Sequence, residues 1–412
     1  MYLTKLLSLL GNRKLIFYII GFSVISKFSL LYILGPISFP DGNGYINIAE
    51  LIYNNDFLFP NDKVDDAPIT PYVYALFYPL TDIFDIHAYR IPNILLSTFT
   101  IYILFKISIT ISNEIRVSNI VAIIAVSYPF LNFYAITALT ETIFVTLLYI
   151  SFYFFVKYIK HNKNLYLYYF GVFFALSSLT RFSTLPMMPF YLILIVFIIY
   201  YIHKDVKKAL IGSFVTGIIY IVIMLPWGIR NYSVSNKLSF TTPVTKSGLA
   251  FYVGNNPMNK TGGGLGNVDH NIYQYDYLID NELIAKKAME DSINWIKNNP
   301  KDWLILELRK IKRLYSVIFY AKQYQDLKYQ LLSILSYGII LILFLSGLVR
   351  FTKIDWIIYS PMLLFMLLLT GLHMVTFASI RYRLPIEPFM IIVASNTLYF
   401  YLQILFKKYK NE

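Results

Sequence analysis

Long apolar stretches dominate this chain, and the polar residues gather between them. Ten of the stretches are long enough to cross a bilayer, which takes about 20 residues. They fall at roughly 15–34, 88–111, 118–136, 142–159, 165–180, 184–202, 209–228, 331–349, 354–375 and 386–405. Lys106 lies inside the second stretch, where snorkelling can carry its ammonium to the membrane surface. The pattern predicts an all-α polytopic membrane protein with about ten transmembrane helices.

Basic residues are distributed unevenly between the two sets of connections. With the N-terminus inside, the inner loops and tail collect most of them: Arg116, Lys157, Lys160, Lys163, Lys204, Lys207, Lys208, Arg350, Lys353, Lys407, Lys408 and Lys410. The positive-inside rule then predicts that both termini are cytoplasmic, in a multi-pass protein of the plasma (inner) membrane. We expect Leu15–Leu34 to be a retained first span rather than a signal peptide, because no small-residue cleavage site follows it.

Two long segments lie outside in this arrangement, at about 35–87 and 229–330. Within the second, 281–298 reads as an amphipathic helix ending before Pro300, and 302–320 as a helix lying in the membrane interface. Long ordered loops are more often functional than filler. We therefore expect three regions: 1–228 with seven spans, 229–330 as an outer loop region, and 331–412 with three spans.

The amino-acid composition excludes several classes of chemistry and of binding partner. Hydrophobic residues make up 57% of the 412 residues and charged residues 14%, with a net charge of +13. The membrane-loop bias accounts for part of that charge, so nucleic acid is not an expected partner. The chain has no cysteine, which excludes disulfides and thiol catalysis, and its five histidines form no closely spaced set, so no metal site is predicted.

Asp41 is the first candidate for chemistry, in the run Pro40-Asp41-Gly42-Asn43-Gly44-Tyr45. It lies just outside the first span, where a carboxylate can meet a lipid substrate and a polar one together. That position suits a general base. The alternative is that Asp41 caps a helix beginning near Gly44.

Glu141 is the second candidate, between Thr140 and Thr142 at the outer end of the fourth span. A glutamate beside apolar helices costs free energy unless it is exposed or paired. It could take part in a site, and Thr140 or Glu141 could equally cap the helix.

Four arginines share the predicted outer depth: Arg181, Arg230, Arg381 and Arg383. A guanidinium binds phosphate oxygens in a bidentate manner and stays charged, so these residues could bind the phosphate of a lipid-linked substrate. The alternative is contact with ordinary anionic headgroups. A loop with Asn255 and Asn256 offers amides that can hold sugar hydroxyls.

In combination, these features resemble the GT-C glycosyltransferases, and most closely the bacterial and archaeal relatives of the protein O-mannosyltransferases. Four stretches carry the resemblance, in this order along the chain: Asp41, Tyr45 and Ala49; Thr140 to Phe144 followed by Thr180 and Arg181; Pro226 to Tyr232 followed by Gly248 and Gly254 to Pro257; and Arg381 to Pro388. The third stretch is the most specific.

The resemblance implies a GT-C fold with two large outer loops and a polyprenyl-phosphate-linked sugar as donor. It implies that Asp41 is the base, that the sugar inverts, and that outer arginines bind the leaving phosphate. We take Tyr45, Asn231, Asn255 and Asn256 as substrate-binding. The acceptor, on the outer membrane face, stays open between protein, glycolipid and polymer.

One departure from the family pattern concerns the residue after Asp41. The protein O-mannosyltransferases have Asp-Glu here, and this chain has Gly42 instead. A second carboxylate must then come from elsewhere, with Glu141 as our choice and Asp65 and Asp66 behind it. Some relatives use a divalent metal, for which a lone Asp gives no support.

Two other functions share part of the pattern. A transporter or flippase of a lipid-linked or anionic substrate would also be polytopic, although its ionisable groups usually lie near the bilayer midplane. A polysaccharide polymerase or ligase would use a pyrophosphate-linked donor.

Overall fold

The computed structural model describes residues 2–35, 37, 39–61, 67–236, 238–240, 244–264, 282–321 and 324–411. Asp65 and Asp66 lie outside these ranges. Across the described ranges the regular elements are helical. The α-helices, in chain order, are α1 Tyr2–Leu10, α2 Leu15–Leu34, α3 Pro40–Asn54, α4 Ile69–Phe77, α5 Thr81–Phe84, α6 Ile91–Ser112, α7 Ile115–Ser127, α8 Pro129–Ala135, α9 Glu141–His161, α10 Asn164–Ser178, α11 Met188–His203, α12 Val206–Ser235, α13 Val244–Gly254, α14 Glu282–Asn298, α15 Pro300–Leu314, α16 Leu327–Ser333, α17 Ile339–Val349, α18 Lys353–Val375 and α19 Glu387–Asn411.

Eight of the described helices are long and apolar enough to cross a membrane. They are Leu15–Leu34, Ala88–Ser112, Glu141–His161, Phe182–His203, Val206–Ser235, Leu327–Val349, Lys353–Val375 and Glu387–Leu405. The pair α7 and α8 makes up to nine, if a span bent by 58° is counted. Pro129 begins α8 and explains the bend, because proline cannot continue the hydrogen-bond ladder of α7. The predicted all-α membrane fold is confirmed.

The predicted fifth span, 165–180, differs most from expectation. Its helix α10 has 15 residues, fewer than the roughly 20 of a full span. It ends early because the chain turns into a 3₁₀-helix, Phe182–Met187, whose Pro186 leads into α11. Still, α10 packs against both α9 and α12, so it belongs to the bundle.

Helix α9 is the centre of the bundle. It packs against α6, α10 and α18, and the residues it buries lie on nearly every side. A helix that is apolar all round is expected in such a position. The C-terminal helices join the same core, since α18 also contacts α11 and α19 contacts α7 and α6. The predicted region 331–412 therefore packs into the same bundle as 1–228.

The two long segments that we predict to lie outside are built of shorter helices. In the first, α3 packs against α4; in the second, α13 packs against α14, and α15 packs against α18. Two predicted helices appear with close bounds, 281–298 as α14 and 302–320 as the shorter α15, which ends at Leu314. These segments bring the candidate side chains over one end of the bundle.

Candidate active site

Asp41 lies in the first turn of α3, directly after the first span. The backbone leaves α2 through Gly35, whose φ of 66° favours glycine, and α3 then begins at Pro40. Proline suits this first position because its missing N–H would be unpaired anyway. The prediction that Asp41 caps a helix beginning near Gly44 is wrong, since the helix already includes Asp41. Its side chain is 55% exposed.

Glu141 opens α9 and is fully buried. Its Oε1 accepts hydrogen bonds from two arginines: Arg181, from Nη1 at 3.0 Å, and Arg381, from Nε. The Oε2 atom is buried and has no hydrogen-bond partner within the described ranges. Thr140, the residue before the helix, makes no side-chain cap. The buried carboxylate is therefore held by charge, as a group in this environment requires.

Arg381 joins the two carboxylates. It lies in a short 3₁₀-helix, Ile380–Arg383, that precedes α19. While its Nε contacts Glu141, its Nη1 donates to Asp41 Oδ2 at 2.9 Å. Burial works against the charged guanidinium, but the adjacent Glu141 carboxylate outweighs it and raises the pKa of Arg381. We call Asp41, Glu141, Arg181 and Arg381 the carboxylate–arginine cluster.

Aromatic rings support Arg181 from the side. Its guanidinium carbon lies 5.9 Å from the ring centre of Phe144 and 5.8 Å from that of Tyr382. Tyr382 in turn stacks on His373, with centres 4.6 Å apart and planes 5° from parallel. Arg181 and Arg381 keep 22% and 24% of their side chains exposed, so both can reach a ligand.

A buried network of hydrogen bonds fixes the position of the two acidic residues relative to each other. Asn93, near the start of α6, donates to Thr137 O at 2.6 Å and to Tyr74 OH at 2.9 Å, and Tyr74 donates to Leu139 O at 3.1 Å. These bonds fix the turn just before Glu141. Ala138 belongs to this turn. A Cβ added to Gly42 in α3 would lie 2.8 Å from Ala138 O, so α3 packs closely against the turn.

Two of the four predicted phosphate-binding arginines make their contacts elsewhere. Arg383 is fully buried, and its Nε pairs with Glu387 Oε1 at 2.6 Å. Its guanidinium carbon lies 3.4 Å from the ring centre of Tyr337. Arg230 packs on the rings of Phe59 and Trp227 and donates to Pro60 O. None of these contacts involves a member of the carboxylate–arginine cluster.

The predicted substrate-binding amides mainly hold backbone. Asn255 donates to Val375 O at 2.7 Å and accepts from Lys310 at 3.0 Å. Asn256 accepts a hydrogen bond from the backbone N–H of Asn259 within its own turn. Asn231 donates to Ser239 O at 2.9 Å. All three are buried. Through these contacts the three side chains position neighbouring backbone groups.

Tyr45 lies four residues after Asp41 on α3, which places both on one face of that helix. The sequence prediction did not include Tyr382, His373, Asn93 or Tyr74. A signal for Asn93 was present, because an asparagine inside an apolar span is costly without a partner.

The cluster does not fit a divalent metal. The two carboxylates that would serve as ligands are joined by the guanidinium of Arg381, a cation. The parts of the chain that the structure describes contain no group of three or more His, Asp or Glu side chains placed to hold a metal ion.

Residues 65–229 match the model of the dolichyl-phosphate-mannose-protein mannosyltransferase family. This range includes Glu141 and Arg181, whereas Asp41 and Arg381 lie outside it. A search of curated proteins finds no matching relative. Two solved structures from Archaeoglobus fulgidus are similar along nearly the whole chain. One is the archaeal oligosaccharyltransferase AglB in complex with an inhibitory peptide and a dolichol-phosphate: TM-score 0.55, 10% identity, 96% of this chain covered and 51% of that one.

The other is the oligosaccharyltransferase of the same organism in the apo form, with a TM-score of 0.57 and 11% identity, covering 97% of this chain and 52% of that one. This chain has the GT-C fold. The fold and the family match confirm the resemblance predicted from the sequence, and together they indicate a glycosyltransferase. This chain spans about half the length of those two oligosaccharyltransferases.

Proposed function

We propose that this protein transfers a sugar from a polyprenyl-phosphate carrier to an acceptor hydroxyl at the outer face of the plasma membrane, with inversion and with Asp41 as the base. The observation that carries the proposal is the link from Asp41 through Arg381 to Glu141. It joins an exposed carboxylate to a buried one at the mouth of the bundle. This link places a candidate base next to cations that can bind a leaving phosphate.

The unused N–H donors of the two arginines in the cluster support phosphate binding. Two guanidinium groups face two carboxylates, so the cluster is neutral overall. Each guanidinium has five N–H donors in a fixed fork, and the bonds to the carboxylates use only some of them. The partly exposed faces of Arg181 and Arg381 can therefore donate to phosphate oxygens and stabilise the charge that develops there.

The proposed step is a single displacement. The acceptor oxygen attacks the anomeric carbon while Asp41 accepts the hydroxyl proton. A new carbon–oxygen bond forms to the acceptor, and the bond between the anomeric carbon and the phosphate oxygen breaks. The electron pair of that bond leaves with the polyprenyl phosphate. Attack from the face opposite the leaving group inverts the anomeric centre.

Glu141 acts on this step indirectly. Because it is buried and holds both guanidinium groups, it fixes their positions before substrate arrives. Such pre-organised charges need little rearrangement during reaction. The dolichol-phosphate in one similar structure supports a lipid-phosphate donor here, although that protein is an oligosaccharyltransferase of twice the length.

The test is release of sugar from radiolabelled polyprenyl-phosphate monosaccharides by purified protein, supplied with membrane extract as acceptor. Wild type is compared with Asp41→Asn, which keeps the shape and removes the base. A matched control is Asp326→Asn, which alters a carboxylate that is 72% exposed, outside the cluster. We expect Asp41→Asn to lose at least about 100-fold in rate, the lower range for general base catalysis.

Full activity of a well-folded Asp41→Asn protein would refute the assignment of the base. No release by wild type from any carrier-linked sugar would refute the donor class itself. Loss of activity in Asp326→Asn as well would show that the assay reports stability rather than chemistry.

A further inference from the structure

A separate cavity lies beside the carboxylate–arginine cluster, in the outer part of the bundle. Its volume is about 440 Å³, within the range of roughly 300–1,000 Å³ that small-molecule sites occupy. It is a partly open cleft, lined by the end of α3 and the segment after it, by α4, by the residue that follows α10, and by the last turns of α12. We call it the Trp227 cavity.

Aromatic side chains form much of its wall. Phe59, Tyr72 and Trp227 line it, and the rings of Phe59 and Trp227 meet edge to face with centres 5.0 Å apart. The guanidinium of Arg230 lies 5.1 Å from the centre of the Phe59 ring and 4.9 Å from that of Trp227. The wall thus combines apolar ring surface with a fixed cation.

Polar side chains that can reach a ligand lie at the rim of the cavity. At the rim, the exposed side chains of Asn55, Asn61 and Ser233 add amide and hydroxyl groups. Hydrocarbon chains cannot pair with any of these groups.

Backbone distance connects the cavity to the cluster. Leu179 lines the cavity, and Arg181 of the cluster follows two residues later. The two Cα atoms are therefore at most about 7 Å apart. A ligand in the cavity lies close enough to extend toward the cluster.

We propose that the Trp227 cavity binds a carbohydrate ring. A sugar has an apolar face for the aromatic wall and hydroxyl groups that exchange hydrogen bonds with the amide and hydroxyl groups of the rim. The sugar could belong to the acceptor or to the donor, and both present the same chemistry. The identification of the ligand as a reaction partner rests on the proposed glycosyl transfer; the binding itself does not.

Saturation-transfer NMR with the methyl glycosides of mannose, glucose and galactose tests the proposal. The protein is placed in lipid nanodiscs, with no glycoside detergent present. Wild type is compared with Trp227→Leu, which removes one aromatic ring from the wall, and with Trp356→Leu, at a half-exposed tryptophan near the start of α18. We expect saturable binding to wild type, a Kd about 3- to 10-fold higher for Trp227→Leu, and the wild-type Kd for Trp356→Leu.

Asn61→Ala keeps the test valid if Trp227→Leu folds poorly, because this rim residue is exposed; the Kd of the Asn61→Ala protein should rise by about 3-fold. No saturable binding of any glycoside to wild type would overturn the proposal, as would unchanged Kd values in both cavity variants.

A competition experiment identifies the source of the sugar. Polyprenyl-phosphate mannose is added to the glycoside complex of the Asp41→Asn protein, in which the donor should not be consumed. Displacement of the glycoside supports a donor sugar in the cavity, and simultaneous binding supports an acceptor sugar. Because binding is measured without turnover, glycoside binding by a protein that releases no sugar would refute the proposed transfer alone.

Discussion

Arg381 donates a hydrogen bond of 2.9 Å from Nη1 to Oδ2 of Asp41, although 340 residues separate them in the sequence. One residue follows the first span and the other precedes the last helix. The bond can therefore form only when both ends of the chain are packed in the bundle. If Asp41 is the base, as we propose, activity depends on complete folding of the bundle.

Arg381→Gln should abolish sugar release and lower stability together. The substitution removes one of the two cations that hold the buried Glu141, and breaking a buried pair costs about 3–5 kcal/mol. Arg181 stays in contact, so we expect the low end, about 3 kcal/mol. Thermal unfolding in nanodiscs measures the loss.

The double variant Arg381→Gln with Glu141→Gln separates the two effects. Neutralising Glu141 removes the buried charge, so stability should recover by at least half while activity stays lost. Lys328→Gln, which removes an exposed pair at 3.9 Å, should change little. If the double variant were less stable than Arg381→Gln, the buried charge would not be the cause.

Two glycines beside Asp41 should respond in opposite ways to alanine. At Gly42 a Cβ would meet Ala138 O at 2.8 Å, so Gly42→Ala should push α3 away from the turn before Glu141, costing about 1–3 kcal/mol and most of the activity. At Gly44 nothing lies within 4 Å of the added Cβ. Gly44→Ala should be neutral or stabilising by up to about 1 kcal/mol, because alanine favours helix.

Sugar-release rates and unfolding midpoints of both variants provide the measurement. Equal losses at the two positions would show that backbone freedom, rather than the close approach to Ala138, explains the glycines.

Much of the fold could be predicted because apolar length alone marks a span. Eight of the ten predicted stretches appear as full spanning helices, and a ninth is the bent pair around Pro129. The short α10 was harder to anticipate, since its apolar run continues past Ser178 into a 3₁₀-helix. Hydropathy measures the length of an apolar run and not where its backbone turns.

The site shows what single-residue reasoning misses. Arg381 and Arg383 look alike in the sequence, but the 3₁₀-helix sends one to Glu141 and the other to Glu387. The spacing of four between Arg383 and Glu387 was a usable signal for a local pair. No comparable signal connects Arg381 to Asp41, because their contact depends on the packing of the whole chain.

Lys310→Met should destabilise the outer loop region strongly. Lys310 is buried, donates to Glu307 at 2.7 Å and to Asn255 at 3.0 Å, and so joins α15 to the loop after α13. Removing one member of a buried pair costs about 3–5 kcal/mol. Lys312→Met, at an exposed position on the same helix, should cost less than about 0.5 kcal/mol.

The pH dependence of this variant has a definite sign. Burial raises the pKa of Glu307, and the Lys310 ammonium opposes that rise. Where the folded pKa exceeds the unfolded one, the folded state binds more protons, and stability falls as pH increases through that window. Without Lys310 the folded-state pKa of Glu307 rises further, so the pH window in which stability falls becomes wider. As the pH rises above the ordinary pKa of a glutamate, Lys310→Met should lose more stability than wild type; an equal loss would contradict the pairing.

The predicted orientation can be tested directly because the chain has no cysteine. Single cysteines replace two exposed lysines: Lys301 in α15, which we place outside, and Lys207 near the start of α12, which we place inside. A membrane-impermeant maleimide applied to intact cells should label Lys301→Cys at once and Lys207→Cys only after permeabilisation. The reverse pattern would move the carboxylate–arginine cluster to the cytoplasmic face, since α15 packs against the end of α18 and against the 3₁₀-helix Ile380–Arg383 that contains Arg381. In that case the donor sugar would have to be reached from the cytoplasm, and the proposed outer acceptor would be wrong.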